Sequence, residues 1–296
     1  MISIVPYSGE YKVGVLAVLK RNFPWMARYS DEWLSRWLSP LIEYHWDDDP
    51  DISDVPFKYG AVVLDGDNVV GFFGTIYSYR LIGGKKYLCL NFSTWCADAE
   101  YRIHTFSALK KLCATADILT DFTPNEPSRE IITKMFGFKY AETKCFNLCP
   151  VPLLHSAKVS VRFINDPSEL KDPEQSAIFA EHQKYGLKCA EFERDGERGC
   201  IFYYFHASRK LKLYRIVRTV KIYNRKLFTE NLREIARKIQ KHEGFFIHFC
   251  VDSCFIDGKF SCPLYFVRKA YRCVRTKENI NFQLDFLYSE LSMLDI

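Results

Sequence analysis

The opening residues alternate apolar and polar side chains with a helical period. In "YKVGVLAVLKRNF" and "DEWLSRWLSPLIEYHW", within residues 11–46, the apolar positions recur every three and four, which predicts two helices. "DDDPDISDVP" follows as an acidic loop punctuated by proline. From Gly60 the period shortens. "GAVVLDGDNVVGFFGTIYSYRLIGGKKYLCLNFSTWCA" reads as three strands joined at "DGDN" and "IGGKK", both with the residues of hairpin turns. A helix is expected from about Thr105 to Ala116, then a short strand "DILTDF". "TPNEPSREIITKMFGFKYAE" is a helix started by proline, stopped at Gly137, and followed by a returning strand.

A similar order then repeats. "PEQSAIFAEHQKYG" is a helix, and "AEFERDGERGCIFYYFHAS" is two strands about the turn "RDGERG". "KLKLYRIVRTVKIY" is a strand, "LFTENLREIARKIQKHEG" a helix and "FFIHFCVDS" a strand. In that last helix Phe228, Leu232, Ile235, Ala236 and Ile239 share one face. Both halves read helix, hairpin, strand, basic helix, strand, an internal repeat of fold with little identity. "CPVPLLHSAK" (Cys149–Lys158) has two prolines and no period. The expected organisation is an N-terminal domain over 1–149, a linker over 150–158 and a C-terminal domain over 159–296.

Length and composition agree with this division. The 296 residues suit two domains, and 48% hydrophobic and 16% aromatic residues are a core-forming composition. No run of about 18 uncharged apolar residues is present, so membrane insertion is not expected. The start lacks the basic and apolar regions of a signal peptide, and a cytoplasmic location is expected. The eleven cysteines form no CxxC pair, and none has histidines at metal-ligand spacing, so reduced thiols and no metal are expected. Trp33 and Trp37 on a helix would line either the core or an interface between two copies.

The net charge of +5 is unevenly placed. Residues 1–150 carry 16 Lys and Arg against 18 Asp and Glu, whereas residues 151–296 carry 25 against 18. A basic second half suggests an anionic ligand there. The charge density does not demand a nucleic-acid partner. A small molecule bearing phosphate suffices.

The strand-to-helix passage "NFSTWCADAEYRIHTFSALKKL" is the first candidate site. A helix N-terminus offers unpaired amides and partial positive charge to an anion. Arg102 leads into this one, Thr105 and Ser107 could cap it, and Lys110 and Lys111 lie one turn on. The segment taken alone also fits an ordinary capped surface helix. In the second half Arg215, Arg218, Lys221, Arg225 and Lys226 crowd the corresponding strand and turn, and guanidinium forks suit a diphosphate. Any one of them also fits a solvent-facing edge-strand position. Tyr223 and Tyr265 could stack on a base or lie in the core.

"DNVVGFFGTIYS", "LNFSTWCADAEYR" and "TPNEPSREIITKMFGF", in that order and spacing, resemble the GNAT family of acyl-CoA-dependent N-acyltransferases over roughly residues 55–147. Glu100–Arg102, the Pro-Asn pair ending at Asn125, and Phe136–Phe138 stand where that family has its signatures. The resemblance implies an α/β fold of two tandem GNAT-like domains, each a mixed, mostly antiparallel sheet flanked by helices. It implies coenzyme A or acyl-CoA as co-substrate. Its pyrophosphate would sit at Arg102, Ile103, His104, Thr105, Phe106 and Ser107, with Asn125 and Arg129 nearby, and its pantetheine arm along Ser93, Trp95 and Cys96. Thr105 and Ser107 stand where the family prefers glycine, and Thr133 stands where it often has a tyrosine acid. Asp121, His104 and Glu126 are the candidates for moving a proton. A covalent role for Cys96 would need a histidine that the sequence does not place beside it.

The tandem layout resembles the nucleotide-sugar N-acyltransferases of the FdhC type, which act on dTDP-linked 3-amino-dideoxyhexoses in surface polysaccharide synthesis. It implies a nucleotide-linked amino sugar as acceptor, held by Arg215, Arg218, Lys221, Tyr223 and Arg225. Two alternatives stand beside it. One is a Fem-like transferase using aminoacyl-tRNA, although no heptad run for its helical arm is present. The other is a non-catalytic module that binds acyl-CoA or a nucleotide.

Overall fold

The alternating segments of both halves join one twelve-stranded sheet, seen in a computed structural model that describes residues 1–44, 52, 54–148, 159–207, 215–244, 247–260, 264–277 and 280–293. In chain order the strands are β1 (Ile2–Pro6), β2 (Ala61–Asp65), β3 (Asn68–Ile82), β4 (Lys85–Ala97), β5 (Ile118–Asp121) and β6 (Lys139–Leu148) in the first half. They continue as β7 (Ser160–Ile164), β8 (Lys188–Arg194), β9 (Glu197–Ala207), β10 (Arg215–Tyr223), β11 (Ile247–Asp252) and β12 (Leu264–Thr276). Among the described residues the helices are α1 (Lys12–Asn22), α2 (Asp31–Ile42), α3 (Thr105–Cys113), α4 (Glu126–Phe136), α5 (Pro173–Gln183), α6 (Arg225–Glu230), α7 (Leu232–Glu243) and α8 (Glu290–Met293).

The spatial order is β1-β2-β3-β4-β5-β12-β6-β11-β10-β9-β8-β7. Neighbours run antiparallel except β4 with β5 and β10 with β11. Each parallel pair is connected by a helical crossover, α3 in the first half and α6–α7 in the second, as parallel pairing requires. Both halves also bulge in the strand before that crossover. Thr94 and Trp95 of β4 oppose Phe73 alone, and Val220 of β10 is an extra residue in the pairing with β9. The repeat is therefore one of topology.

β12 breaks the symmetry. Although it is the last strand in chain order, it lies between β5 and β6, pairing Cys273 with Asp121 and running along β6 from Leu264↔Leu148 to Val274↔Lys139. β6 also pairs with β11 through Cys145–Leu148, so the two halves share one continuous sheet. The linker expected at 150–158 lies outside the described residues.

Local chemistry explains most boundaries. Asn125 accepts from the Ser128 N–H at 2.9 Å to start α4, Pro127 stands in its first turn, and Gly137 ends it at φ 69°. Asp195 and Gly196, both at positive φ, make the β8–β9 turn. The single helix expected over 227–244 is two. The Asn231 side chain donates to the Leu227 carbonyl at 2.8 Å and interrupts the helix between α6 and α7. β3 is buried without interruption from Val70 to Ser78, because helices cover both of its faces. At Gly74 an added Cβ would meet a Leu41 methyl at 2.6 Å and the Ser93 carbonyl at 2.8 Å, so only glycine lets α2 approach here.

Candidate active site

β4 and β5 pair at Cys89↔Ile118, Leu90↔Leu119 and Asn91↔Thr120, and then part. β4 continues through its bulge to Ala97, while β5 ends at Asp121. Thr94 sits at φ 53°, an uncommon conformation for a β-branched residue that costs about 1–3 kcal/mol and turns the strand away from its neighbour. The parting opens a cleft with two compartments. The outer one, about 420 Å³, lies between Trp95, Cys96, Arg102, Phe106 and the start of α4. The inner one, about 240 Å³, lies between Trp25, Trp37, Phe92, Ser93, Asp121 and Thr123. Phe23, Trp95, Asn125 and Ser128 line both, so the compartments are continuous.

Eight of the residues expected for coenzyme A line this cleft: Ser93, Trp95, Cys96, Arg102, Ile103, Thr105, Phe106 and Asn125. His104, Ser107 and Arg129 do not. The Arg129 guanidinium lies 3.8 Å from the centre of the Tyr271 ring, on β12. Glu126, 78% exposed, stands 3.9 Å from Arg129 and outside the lining. The cleft entrance is braced by Asp98, which accepts two bonds from Arg21 (3.1 and 2.6 Å) and one from Asn22 (2.9 Å), all from α1. Those bonds, Arg21 foremost, hold its carboxyl below the usual carboxylate range.

The anion loop differs from its expectation. A 3₁₀ turn over Ala99–His104 runs straight into α3, so the Thr105 N–H donates to the carbonyls of Arg102 and Ile103. The Thr105 hydroxyl donates to the Arg102 carbonyl at 2.5 Å and caps nothing. Without glycine the loop closes on itself, and Arg102 is the cationic side chain left in the lining. Burial pushes the Cys96 thiol up to about 12, which disfavours a thiolate nucleophile there.

Asp121 is the ionisable side chain at the floor of the inner compartment. Burial, with the Glu290 carboxyl as the next contribution, raises it well above the usual carboxylate range. Its Oδ1 accepts from the Thr123 N–H at 3.2 Å. The Thr123 hydroxyl donates to Glu290 Oε1 at 2.9 Å, and the Glu290 N–H donates to Asn91 Oδ1 at 3.3 Å. Glu290 comes from α8, near the end of the chain, and carries no local signal that could have marked it in the sequence.

In the second half, the place corresponding to the cleft is filled by the chain itself. β10 and β11 pair from Arg215↔Ile247 to Arg218↔Cys250. Beyond that point the Phe286 N–H donates to the Val220 carbonyl at 2.8 Å, at the bulge. Arg225 donates to the carbonyls of Cys254 (2.8 Å) and Leu284 (2.9 Å). Lys221 and Arg80 clasp Asp285, each at 2.8 Å. Burial alone would raise that carboxyl, but Arg80 and Lys221 outweigh it and hold it low.

The five residues expected to hold an anionic acceptor are thus dispersed. Lys221 and Arg225 bind the C-terminal segment. Arg215 lies exposed beside the Phe205 ring, Arg218 is a guanidinium whose pKa burial lowers, and Tyr223 packs on Phe202. The Tyr265 side chain lies outside the described residues. Trp37 lines the inner compartment, and Trp33 stacks on Tyr29 with ring centres 4.0 Å apart.

The nine described cysteines are free, and among the described residues no group of three or more His, Cys, Asp and Glu is placed to hold a metal. No described helix is long and apolar enough to cross a membrane. No protein-family model matches the sequence, and no curated protein does. Solved structures do resemble it. A GCN5-related N-acetyltransferase from Kribbella flavida superposes with a TM-score of 0.58 at 12% identity, covering 93% of this chain and 72% of its own. One from Anabaena variabilis ATCC 29413 gives 0.54 at 10% identity, over 93% and 73%. A proposed acetyltransferase from Pyrococcus horikoshii gives 0.51 at 9% identity, over 99% and 93%. These likenesses establish the fold: a large mixed sheet flanked by helices, arranged as in GCN5-related N-acetyltransferases across nearly the whole chain.

Proposed function

We propose that the protein is an acyl-CoA-dependent N-acyltransferase working in the cleft between β4 and β5. The observation that carries this reading is the parting of the two strands at the Thr94 bulge, with a buried carboxyl at the floor. A strand that leaves its neighbour turns main-chain groups into the gap, where N–H groups can polarise a thioester carbonyl. Acyl-CoA bound there supplies the activated acyl group. Arg102 would contact its phosphates, and the β4 segment from Ser93 to Cys96 would hold the pantetheine arm. Asp121 would take the proton as the acceptor's amine attacks. The new C–N bond forms as the C–S bond breaks, and the released thiol leaves with a proton.

For the acceptor, the tandem layout supports a nucleotide-linked 3-amino-3,6-dideoxyhexose, consistent with a role in surface polysaccharide synthesis. The walls of the inner compartment favour a second reading. Trp25, Trp37, Phe92 and Trp95 surround a single acidic side chain, a setting that suits an amine on an apolar or planar body. The test presents acetyl-CoA and 3-hydroxyacyl-CoA donors with dTDP-linked 3-amino sugars and with arylalkylamines, following thiol release and product mass. Sugar-dependent release selects the first acceptor, and arylalkylamine-dependent release the second. Coenzyme A binding that survives Arg102→Ala combined with Lys110→Ala unchanged would refute the phosphate contact at this loop.

A further inference from the structure

The C-terminal segment brings a second carboxyl to the floor of the cleft. Thr123 ties the two together: its N–H donates to Asp121 at 3.2 Å and its hydroxyl to Glu290 at 2.9 Å. Asp121 and Thr123 line the inner compartment, and Glu290 lies just behind them, completely buried. Among the described residues, Glu290 Oε2 has no hydrogen-bond partner. A buried carboxylate oxygen without a donor is costly, whereas a protonated carboxyl supplies its own donor.

The charges around the pair do not neutralise it. Arg272, on β12, is the nearby cation, and it donates to Asp252 at 3.1 and 2.7 Å, to the Phe122 carbonyl and to the Cys145 thiol. On the remaining sides stand Cys273, paired with Asp121 across β5 and β12, and Asn91 on β4, neither of which carries positive charge. On α4, Arg129 is stacked on Tyr271. Arg80 and Lys221 are held by Asp285. Three buried carboxyls, Asp121, Glu290 and Asp252, thus face one guanidinium, and Asp252 has claimed it.

We propose that Asp121 and Glu290 share one proton at the floor of the cleft, and that Glu290 is a positioning residue that sets the pH at which Asp121 accepts the acceptor's proton. The arrangement follows from like charges that cannot both ionise in a dry site. Burial also pushes Glu290 up to about 7, in the same direction. In turnover Asp121 takes one proton from the acceptor ammonium while Glu290 keeps the shared proton, and the freed amine attacks the thioester carbon; as the C–N bond forms and the C–S bond breaks, the nitrogen's second proton passes to the departing thiolate, and Asp121 returns its own proton to solvent. The catalytic half of this statement rests on the N-acyltransferase reading, while the shared proton does not.

Two measurements separate the statements. The first is infrared spectroscopy of the protein alone, following the protonated-carboxyl band in D₂O from acid to alkaline pH. The expected result is a buried carboxyl that stays protonated at neutral pH, in which Glu290→Gln lowers the titration of Asp121 and Asp121→Asn lowers that of Glu290. Thr123→Val should move both and Thr123→Ser neither, with unfolding curves checking that each variant is folded. Two carboxyls titrating independently, unmoved by each other's substitution, would overturn the shared proton.

The second is the pH profile of thiol release with whichever amine is accepted. Glu290→Gln should move the acid limb to lower pH, whereas Asp121→Asn should lower the plateau about a hundredfold or more. An unmoved acid limb in Glu290→Gln would overturn the gating role. Absence of turnover with every amine would count against the N-acyltransferase reading and the gating role together, leaving the shared proton to the infrared result.

Discussion

The two halves carry the same device, a bulged strand parting from a parallel neighbour, yet one parting is open and the other closed. In the first half the gap between β4 and β5 is a cleft of two compartments, about 420 and 240 Å³. In the second half residues 284–287 occupy the equivalent place and bond to the bulge itself. The chain's own backbone satisfies polar groups that a ligand would otherwise meet, and Lys221, Arg225 and Arg80 anchor it. The same segment then delivers Glu290 to the open site. A duplicated frame has become one site and one support for that site.

The largest effect should come from cutting the anchor. Asp285→Ala leaves Arg80 and Lys221 buried without their partner and should destabilise the fold by about 3–5 kcal/mol in urea unfolding. A loss under about 1 kcal/mol would mean that the segment is not what closes the second half. Phe286→Ala is expected to cost about 3 kcal/mol or slightly more, since this ring lies 5.2 Å from both Phe122 and Phe255 and so joins the two halves.

Next comes ligand stoichiometry: calorimetry should find one coenzyme A per chain, and two would reopen the second half. In the first half Arg102→Ala should weaken that binding about tenfold or more, the scale of one charged hydrogen bond. Glu290 adds a smaller, pH-dependent effect. Its folded pKa is about 7 and its unfolded value is lower, so its contribution to stability is present in acid and lost as pH rises toward and through 7. Glu290→Gln should flatten that decline in stability. The smallest effect is expected at Arg215, exposed on β10, where alanine should change stability by no more than about 0.5 kcal/mol.

Much of the frame is legible from local pattern. Alternation marks the β2–β3–β4 and β8–β9 segments, Pro-Asn and Gly137 bracket α4, and the repeated order of elements predicts two related halves. The cleft residues on β4 and at Arg102–Phe106 follow from where a strand meets a helix. Local pattern also misleads. Four basic residues over 215–225 read as one cluster, but alternation along β10 and the turn after it send them to different surroundings. At Arg102–Ser107 the sequence cannot show that, without glycine, the turn uses the Thr105 amide internally.

The sequence by itself determined the periodicities, the caps and turns, and hence the strands and helices, because those depend on residues within a few positions of one another. Only the tertiary structure decided that β12 enters between β5 and β6, that residues 284–287 close the second half, and that Glu290 meets Asp121 from 169 positions away. Those pairings form because the unpaired edges of β5 and β6, and the partly buried cations at 80, 221 and 225, need partners that local sequence does not supply. The burial that makes the two carboxyls compete for a proton exists only once the chain has folded around them.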